Sequence, residues 1–328
     1  MKESVGQSLE IILPRDLVEA IHSLPALMLL SDLITRNQQL IASQNGARPN
    51  LPNTITKLRL YAPIKLFETI NAVGLAETCI LDEGVKVRSW FKPADHLVFL
   101  NDSILNSGMR GLKTYGLTES YDQPLPFLDL GKARKLNLLD DLKLWLRSDY
   151  GFSLSIIRYF GILEALGWSL DQMKAAFLFT PQDSLCLKNP ITHWVPSVAK
   201  KSYLVIAPEG SQEWSWEHYE ELIDRVYASM KLVTVLIGQQ RKPKMISRSH
   251  LVDLREKLNF PQLSQLLHFA SFVVSEDAIM LQLANLLHTP TLSPSGIYDL
   301  KLQGAIFPYW NTARKPTEVL KMLPSIMC

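Results

Sequence analysis

Cysteine is scarce in this 328-residue chain, with three residues, Cys79, Cys186 and Cys328, far apart in sequence. None forms a CxxC pair or a Cys/His ligand set, which argues against a disulfide framework or structural zinc site and fits a reducing cytoplasm. An excess of charge of either sign is missing too: 34 basic residues face 32 acidic ones, for a net charge of +2. The only local basic groups are Arg241-Lys-Pro-Lys244 and Lys200-Lys201. Nucleic acid is thereby excluded as a partner, because its phosphates call for a sustained basic face. Apolar stretches such as residues 24–30 fall short of the roughly 20 residues that span a bilayer, so membrane contact is at most peripheral. The opening Met1-Lys-Glu-Ser-Val-Gly-Gln-Ser8 is polar and leads straight into an apolar run, without the longer apolar core of a signal peptide. His218, His250, His268 and His288 have no companion at metal-ligand spacing, so neither a metal nor a cofactor is expected.

What is abundant is apolar surface, at 47% of residues, enough for about two ordinary domains with cores of their own. Short β-branched runs alternate with amphipathic stretches of helical length, the βαβα grammar of a parallel sheet covered by helices. In the first half, strands are expected at 10–13, 55–61, 77–81 and 96–100. Helices are expected at 15–35, 64–73, 85–91 and 103–115, with Pro25 kinking or dividing the first. A polar loop occupies 37–54. Helical runs follow at 133–147 and 155–166, the latter closed by Gly167. Residues 177–202, with three prolines and no period, read as a connection. The expected domains are therefore 1–176 and 203–310, joined by 177–202 and followed by a C-terminal helix at 311–328. Open α/β sheets bind ligands beyond the carboxyl ends of their strands, so a crevice between the two halves is the expected site.

Several segments resemble, in the same order, the lipopolysaccharide heptosyltransferases of glycosyltransferase family nine. His22-Ser-Leu-Pro-Ala-Leu27 is similar to the family's first-helix motif, residues 98–111 to its strand and Ser-containing helix, and Ile156-Ile-Arg-Tyr159 through Ala165-Leu-Gly167 to the helix before its domain crossover. Pro208-Glu-Gly-Ser211, Trp214, Tyr219 and Leu222 follow its Pro-Gly-Ala-Ser, Lys-x-Trp, aromatic-x-x-Leu pattern. Val273-Val-Ser-Glu-Asp277 and Thr289-Pro290 follow its Asp-Ser/Thr-Gly-x-x-His motif and next strand. The resemblance implies an α/β protein of GT-B type, with two Rossmann-like βαβ domains facing across a cleft. It also implies inverting sugar transfer from a nucleotide sugar, an ADP-sugar by the family's habit, to a glycan or protein hydroxyl.

By that resemblance Glu19 stands where the family's Asp acts as base on the acceptor, but Val18 precedes it where the family has Gly. Glutamate can take the proton while reaching one methylene further; equally, it is an ordinary solvated helix carboxylate. His22 shares its helix face and is either an acid/base companion or a packing residue at the cleft. Asn106 replaces a family lysine. On the donor side, Ser211 and Gln212 can donate hydrogen bonds to a diphosphate or simply make a turn, and Gln212 stands where a lysine is expected. Gln240 takes the place of an acidic ribose contact, and Leu258 that of a residue packed on adenine. Asp277 is a donor-facing residue or a plain helix N-cap. Ala278 and Ile279 replace Ser/Thr-Gly, so a β-branched side chain stands where backbone amides would face phosphate; Gln282 replaces the histidine. Trp214 and Trp216 are amphipathic anchors, one for its helix and the other for a ligand or partner.

Two functions follow. One is a divergent glycosyltransferase with Glu19 as base. The other is a catalytically inactive GT-B scaffold that binds a protein partner, for which a blocked cleft and an apolar, Trp-containing surface patch are expected.

Overall fold

The computed structural model describes residues 7–14, 16–43, 55–64, 66–67, 70, 75–80, 96–100, 113–116, 125–129, 132–136, 140–150, 152, 154–177, 195, 198, 202–208, 214–238, 248–294, 310–313 and 317–321. The chain divides into two compact units, Met1–Thr180 and Pro181–Cys328.

In the first unit, β1 (Gln7–Ile12) lies at the centre of a parallel sheet with β2 (Ile55–Ala62), β3 (Glu77–Ile80), β4 (His96–Phe99) and β5 (Lys113–Gly116), in the order β3-β2-β1-β4-β5. Leu9, Ile11 and Ile12 are fully buried, as befits a strand with neighbours on both edges. Glu10 is buried on the same strand, where Arg59 of β2 reaches it at 2.7 Å and continues to Glu77 of β3 at 2.9 Å. The order reverses between β1 and β4, where Leu100 N–H donates to Ile12 O at 2.9 Å.

From β1 the chain enters α1 (Leu17–Ser43), one helix that runs through Pro25 and on over residues 37–43, where a loop is expected from sequence. Asn37 shows why: it is buried and its amide donates to Ile55 O at 3.3 Å, so a polar residue reads as loop while serving the core. By length and composition α1 could cross a membrane, but most of it is buried inside this unit. Three further expectations fail for a shared reason. Residues 113–115 belong to β5 rather than a helix, 132–136 form β7 rather than the start of a helix, and Trp310–Ala313 form β13 rather than part of a C-terminal helix. These strands are only four or five residues long, and β5 and β13 are held by pairing to a neighbour, so helical period over a longer window outvotes them in the sequence. β7 pairs antiparallel with β6 (Leu125–Asp129), Leu125 opposite Leu136 and Asp129 opposite Lys132.

Helices α2 (Asp140–Tyr150), α3 (Leu154–Ala165) and α4 (Leu170–Ala176) complete the unit. Trp145, Phe152, Phe160 and Phe177 pack their rings together, with Phe160 and Phe177 edge-on at 5.5 Å. Gly167, at φ 95°, ends the turn after α3, and Ser169 with Gln172 forms the capping box of α4. α3 packs along α1, which brings residues about 140 positions apart into contact.

The second unit holds β8 (Tyr203–Ala207), β9 (Val233–Leu236), β10 (Leu251–Asp253), β11 (Phe272–Ser275), β12 (Thr291–Pro294) and β13 in the parallel order β10-β9-β8-β11-β12-β13. Leu204, Ile206, Phe272, Val274 and Leu292 form one cluster with Trp214, Tyr219, Leu222, Ile223 and Val226 of α5 (Trp216–Met230) and the turn before it. α6 (Phe260–His268), capped by Asn259, and α7 (Ala278–Leu286), capped by Asp277, complete it. Residues 317–321 are helical, within the expected C-terminal helix.

Candidate functional site

Each sheet reverses its strand order once, between β1 and β4 and between β8 and β11. At such a point the loops leaving the strands diverge and open a crevice at their carboxyl ends. The chemistry-bearing residues are accordingly sought just after β1 and just after β8 and β11.

After β1, Asp16 Oδ1 accepts the Glu19 N–H at 3.0 Å. This is half of a capping box, with an acid three residues on, but the Glu19 side chain does not fold back to complete it. It reaches α3, where its Oε2 accepts the Tyr159 hydroxyl at 2.6 Å and pairs with the Arg158 guanidinium. Arg158 also donates to the Tyr159 oxygen at 2.8 Å and lies over its ring at 4.7 Å. Tyr159 is buried, the Arg158 side chain is 11% exposed and that of Glu19 35%. Burial pulls the Arg158 guanidinium below its ordinary value, with the neighbouring Tyr159 acting the other way. The result is a carboxylate anchored through Oε2 from inside the unit, on a side chain that stays one-third exposed. His22, one turn on, is buried.

After β8 and β11 the carboxylates serve differently. The Ser275 hydroxyl donates to Ala207 O at 2.9 Å and accepts the Asp277 N–H at 2.9 Å, stitching the two strand ends together. Asp277 Oδ1 then accepts the Ile279 N–H at 2.7 Å and caps α7. Glu276, fully buried, accepts the Trp214 N–H at 2.9 Å and the Tyr219 hydroxyl at 2.7 Å through one oxygen. Burial, reinforced by this carboxylate, holds the Tyr219 phenol well above its ordinary range. Ala278 and Ile279 are half-buried. Gln282 is completely buried, and among the described residues neither its amide nitrogen nor its oxygen has a hydrogen-bond partner.

Leu258 is half-buried just before the α6 cap. Trp214 is buried in the α5 core, and Trp216 packs against the same core with the Arg255 guanidinium 5.7 Å from its ring centroid. Neither indole forms the exposed patch that a scaffold would be expected to present. Asn106, Ser211, Gln212 and Gln240 lie outside the described residues. Among the described residues no group of three or more His, Cys, Asp or Glu is placed to hold a metal ion.

Sequence reasoning missed Arg158, Tyr159 and Glu276. The first two stand in a segment noted only for its resemblance to the family's helix before the domain crossover, and nothing local links them to Glu19. Glu276 carries the weak signal of a charged residue at the end of a wholly apolar strand.

Two units with this parallel strand order define a GT-B protein, the class of scaffold on which many nucleotide-sugar enzymes are built. A sequence model of glycosyltransferase family 9 (heptosyltransferase) matches residues 141–310, just over half of the chain, and the protein belongs to that family. The chain is similar in structure to the E. coli heptosyltransferase WaaC with ADP (TM-score 0.59, 14% identity, covering 97% of this chain and 99% of that one). It is also similar to a family 9 glycosyl transferase from Veillonella parvula DSM 2008 (TM-score 0.61, 11% identity, 99% and 98%). A UDP-GlcNAc 2-epimerase from Methanocaldococcus jannaschii shares the fold as well (TM-score 0.55, 11% identity, 98% and 92%). At such identities the likeness concerns the fold alone. No curated protein matches the chain in sequence.

Proposed function

We propose that the protein is an inverting glycosyltransferase that moves a sugar from a nucleotide donor, an ADP-sugar in the first instance, to a hydroxyl of a glycan or protein. The observation that carries this reading is Glu19, set in the first turn after β1, anchored through one oxygen on a side chain that stays one-third exposed. In the reaction the acceptor oxygen bonds to the anomeric carbon and gives its proton to Glu19. The bond from that carbon to the diphosphate oxygen breaks, and the nucleoside diphosphate leaves with the electron pair. General-base help of this kind contributes about 10²- to 10⁴-fold.

Residues 1–176 then serve the acceptor, 203–310 the nucleotide, and 177–202 join them. Family membership and the ADP bound by the WaaC relative support that choice of donor. Balanced charge and few cysteines favour a cytoplasmic setting. The amino end of α7 offers a partial positive charge to the leaving group. With Gln212 of the donor side and Asn106 of the acceptor side standing where lysines are expected, the leaving group has less help and transfer is expected to be slow.

One observation favours a second reading, a GT-B scaffold without activity that binds a protein partner: on the donor side Ile279 stands in the place of a glycine and Gln282 is sealed inside the unit. Calorimetric titration with ADP, GDP and their sugars separates the two. Micromolar binding of one nucleotide, with turnover abolished in Glu19→Gln, supports the transferase. No binding to any of them by folded protein ends it in favour of the scaffold.

A further inference from the structure

The Glu19 carboxylate is built into a small relay that the proposed chemistry does not by itself require. A base on a surface helix turn needs no buried cation behind it, and a glutamate left alone would sample several rotamers on three rotatable bonds. Here two groups from α3, about 140 residues away in sequence, converge on a single oxygen. The Arg158 guanidinium contacts both the Glu19 carboxylate and the Tyr159 oxygen, so the three form a closed triangle. Tyr159 is completely buried and Arg158 nearly so, which makes the anchor rigid, while the carboxylate they hold is the exposed member.

Such a triangle has an energetic signature of its own. A guanidinium nine-tenths withdrawn from water is costly unless it is paired, and burial already pulls its proton affinity down. The exposed Glu19 carboxylate is the anionic member of the triangle. Tyr159 fills the remaining gap by donating to Glu19 while accepting from Arg158 through the same hydroxyl oxygen.

We infer that Arg158 and Tyr159 are positioning residues that clamp Oε2 of Glu19 and thereby present Oε1 to the acceptor hydroxyl. The inference rests on the transferase reading. The clamp also answers the length problem raised by the sequence. Glutamate is one methylene longer than the aspartate of the family pattern, and drawing one oxygen back onto α3 fixes where that extra length goes. Misplacing a reacting group by about 1 Å costs on the order of 100-fold in rate, so a longer, unclamped carboxylate would be a poor base.

The test uses the full chain and the release of ADP from ADP-sugars in water, read as kcat and KM, on wild type, Glu19→Gln, Tyr159→Phe, Arg158→Gln and Arg158→Lys. Thermal unfolding of each variant accompanies the rates. The clamp predicts that Tyr159→Phe lowers kcat about 10-fold and Arg158→Gln on the order of 100-fold, both with the donor KM unchanged. Arg158→Lys, which keeps the charge and loses the second contact, recovers part of that loss. Falls in kcat without a fall in melting temperature, and partial rescue by lysine, support the clamp over a merely structural pair. If Glu19→Gln is inactive while Tyr159→Phe and both Arg158 variants turn over at the wild-type rate, the clamp is wrong and the transferase stands. If wild type releases no ADP, or Glu19→Gln releases it as fast as wild type, the transferase reading falls and the clamp falls with it.

Discussion

The two units run the same strand order to opposite ends. In the first, a carboxylate after the central strand turns outward, held by a tyrosine and an arginine from a distant helix. In the second, the carboxylates at the equivalent point turn inward: Asp277 closes the end of its own helix, and Glu276 ties the turn before α5 to the end of β11. The residue type is the same and each follows a strand where its own sheet reverses order, yet the first stays one-third exposed while the others are taken up by backbone N–H groups and a buried hydroxyl. A parallel sheet thus decides where polar groups gather, while the surrounding helices decide whether any of them remains available for chemistry.

That contrast is broken most directly by stability measurements. Glu276→Ala leaves a buried hydroxyl and a backbone N–H without their acceptor and is expected to cost about 3 kcal/mol in urea unfolding. Glu276→Gln, which keeps an acceptor oxygen, costs about 1 kcal/mol. By contrast Glu19→Ala costs less, about 2 kcal/mol, because the one-third exposed site lets water reach the groups it leaves unpaired. Equal losses at the two positions would erase the distinction between an available carboxylate and a structural one.

Gln282→Leu sharpens the picture of the second unit. An amide buried without partners is a burden, and replacing it with a side chain of similar volume is expected to stabilise by about 1 to 2 kcal/mol. A loss of stability instead would mean that the amide is satisfied in solution, by water or by a ligand. Asp277→Ala, removing the α7 cap, is expected to lower stability by about 1 kcal/mol, and Asp277→Asn by much less.

The smallest effect lies in the pH dependence of the first unit. Burial raises the Glu10 carboxyl above its ordinary value of 4.5, against the opposing pull of Arg59 and Tyr61. The folded state therefore holds this proton more tightly than the unfolded chain. Its contribution to stability is fully present below about 4.5 and is lost as pH rises through the raised folded value. In Glu10→Gln, the curve of urea midpoint against pH loses that downward component just above 4.5; an unchanged curve would show that Arg59 fully offsets the burial.

Much of the architecture was legible because buried parallel strands announce themselves: Tyr203-Leu-Val-Ile-Ala207 and Phe272-Val-Val-Ser275 are continuous apolar runs bounded by polar turns, and both are strands. β5, β7 and β13 were not legible, since four or five residues such as Trp310-Asn-Thr-Ala313 become a strand only when a neighbour offers an edge. In the candidate site, Glu19 and Asp277 stood out through their place in a family pattern. Their actual engagements did not. The cap at Asp277 is local and could be anticipated, whereas the Tyr159 hydroxyl reaches Glu19 across 140 residues of chain, a contact that exists only once α3 has packed on α1.

That same packing sets a schedule for synthesis. α1 is finished at Ser43, but α3 begins at Leu154, so the ribosome must add more than a hundred residues before the helix meets its cover. At about 5–20 residues per second, the delay is roughly 5 to 20 s. During it, a segment apolar enough to pass for a membrane span has β2 to pack on but not yet α3. The nascent first unit is therefore a natural client for holding chaperones, and slowing translation between these two helices is expected to reduce soluble yield more than slowing it anywhere in the second unit.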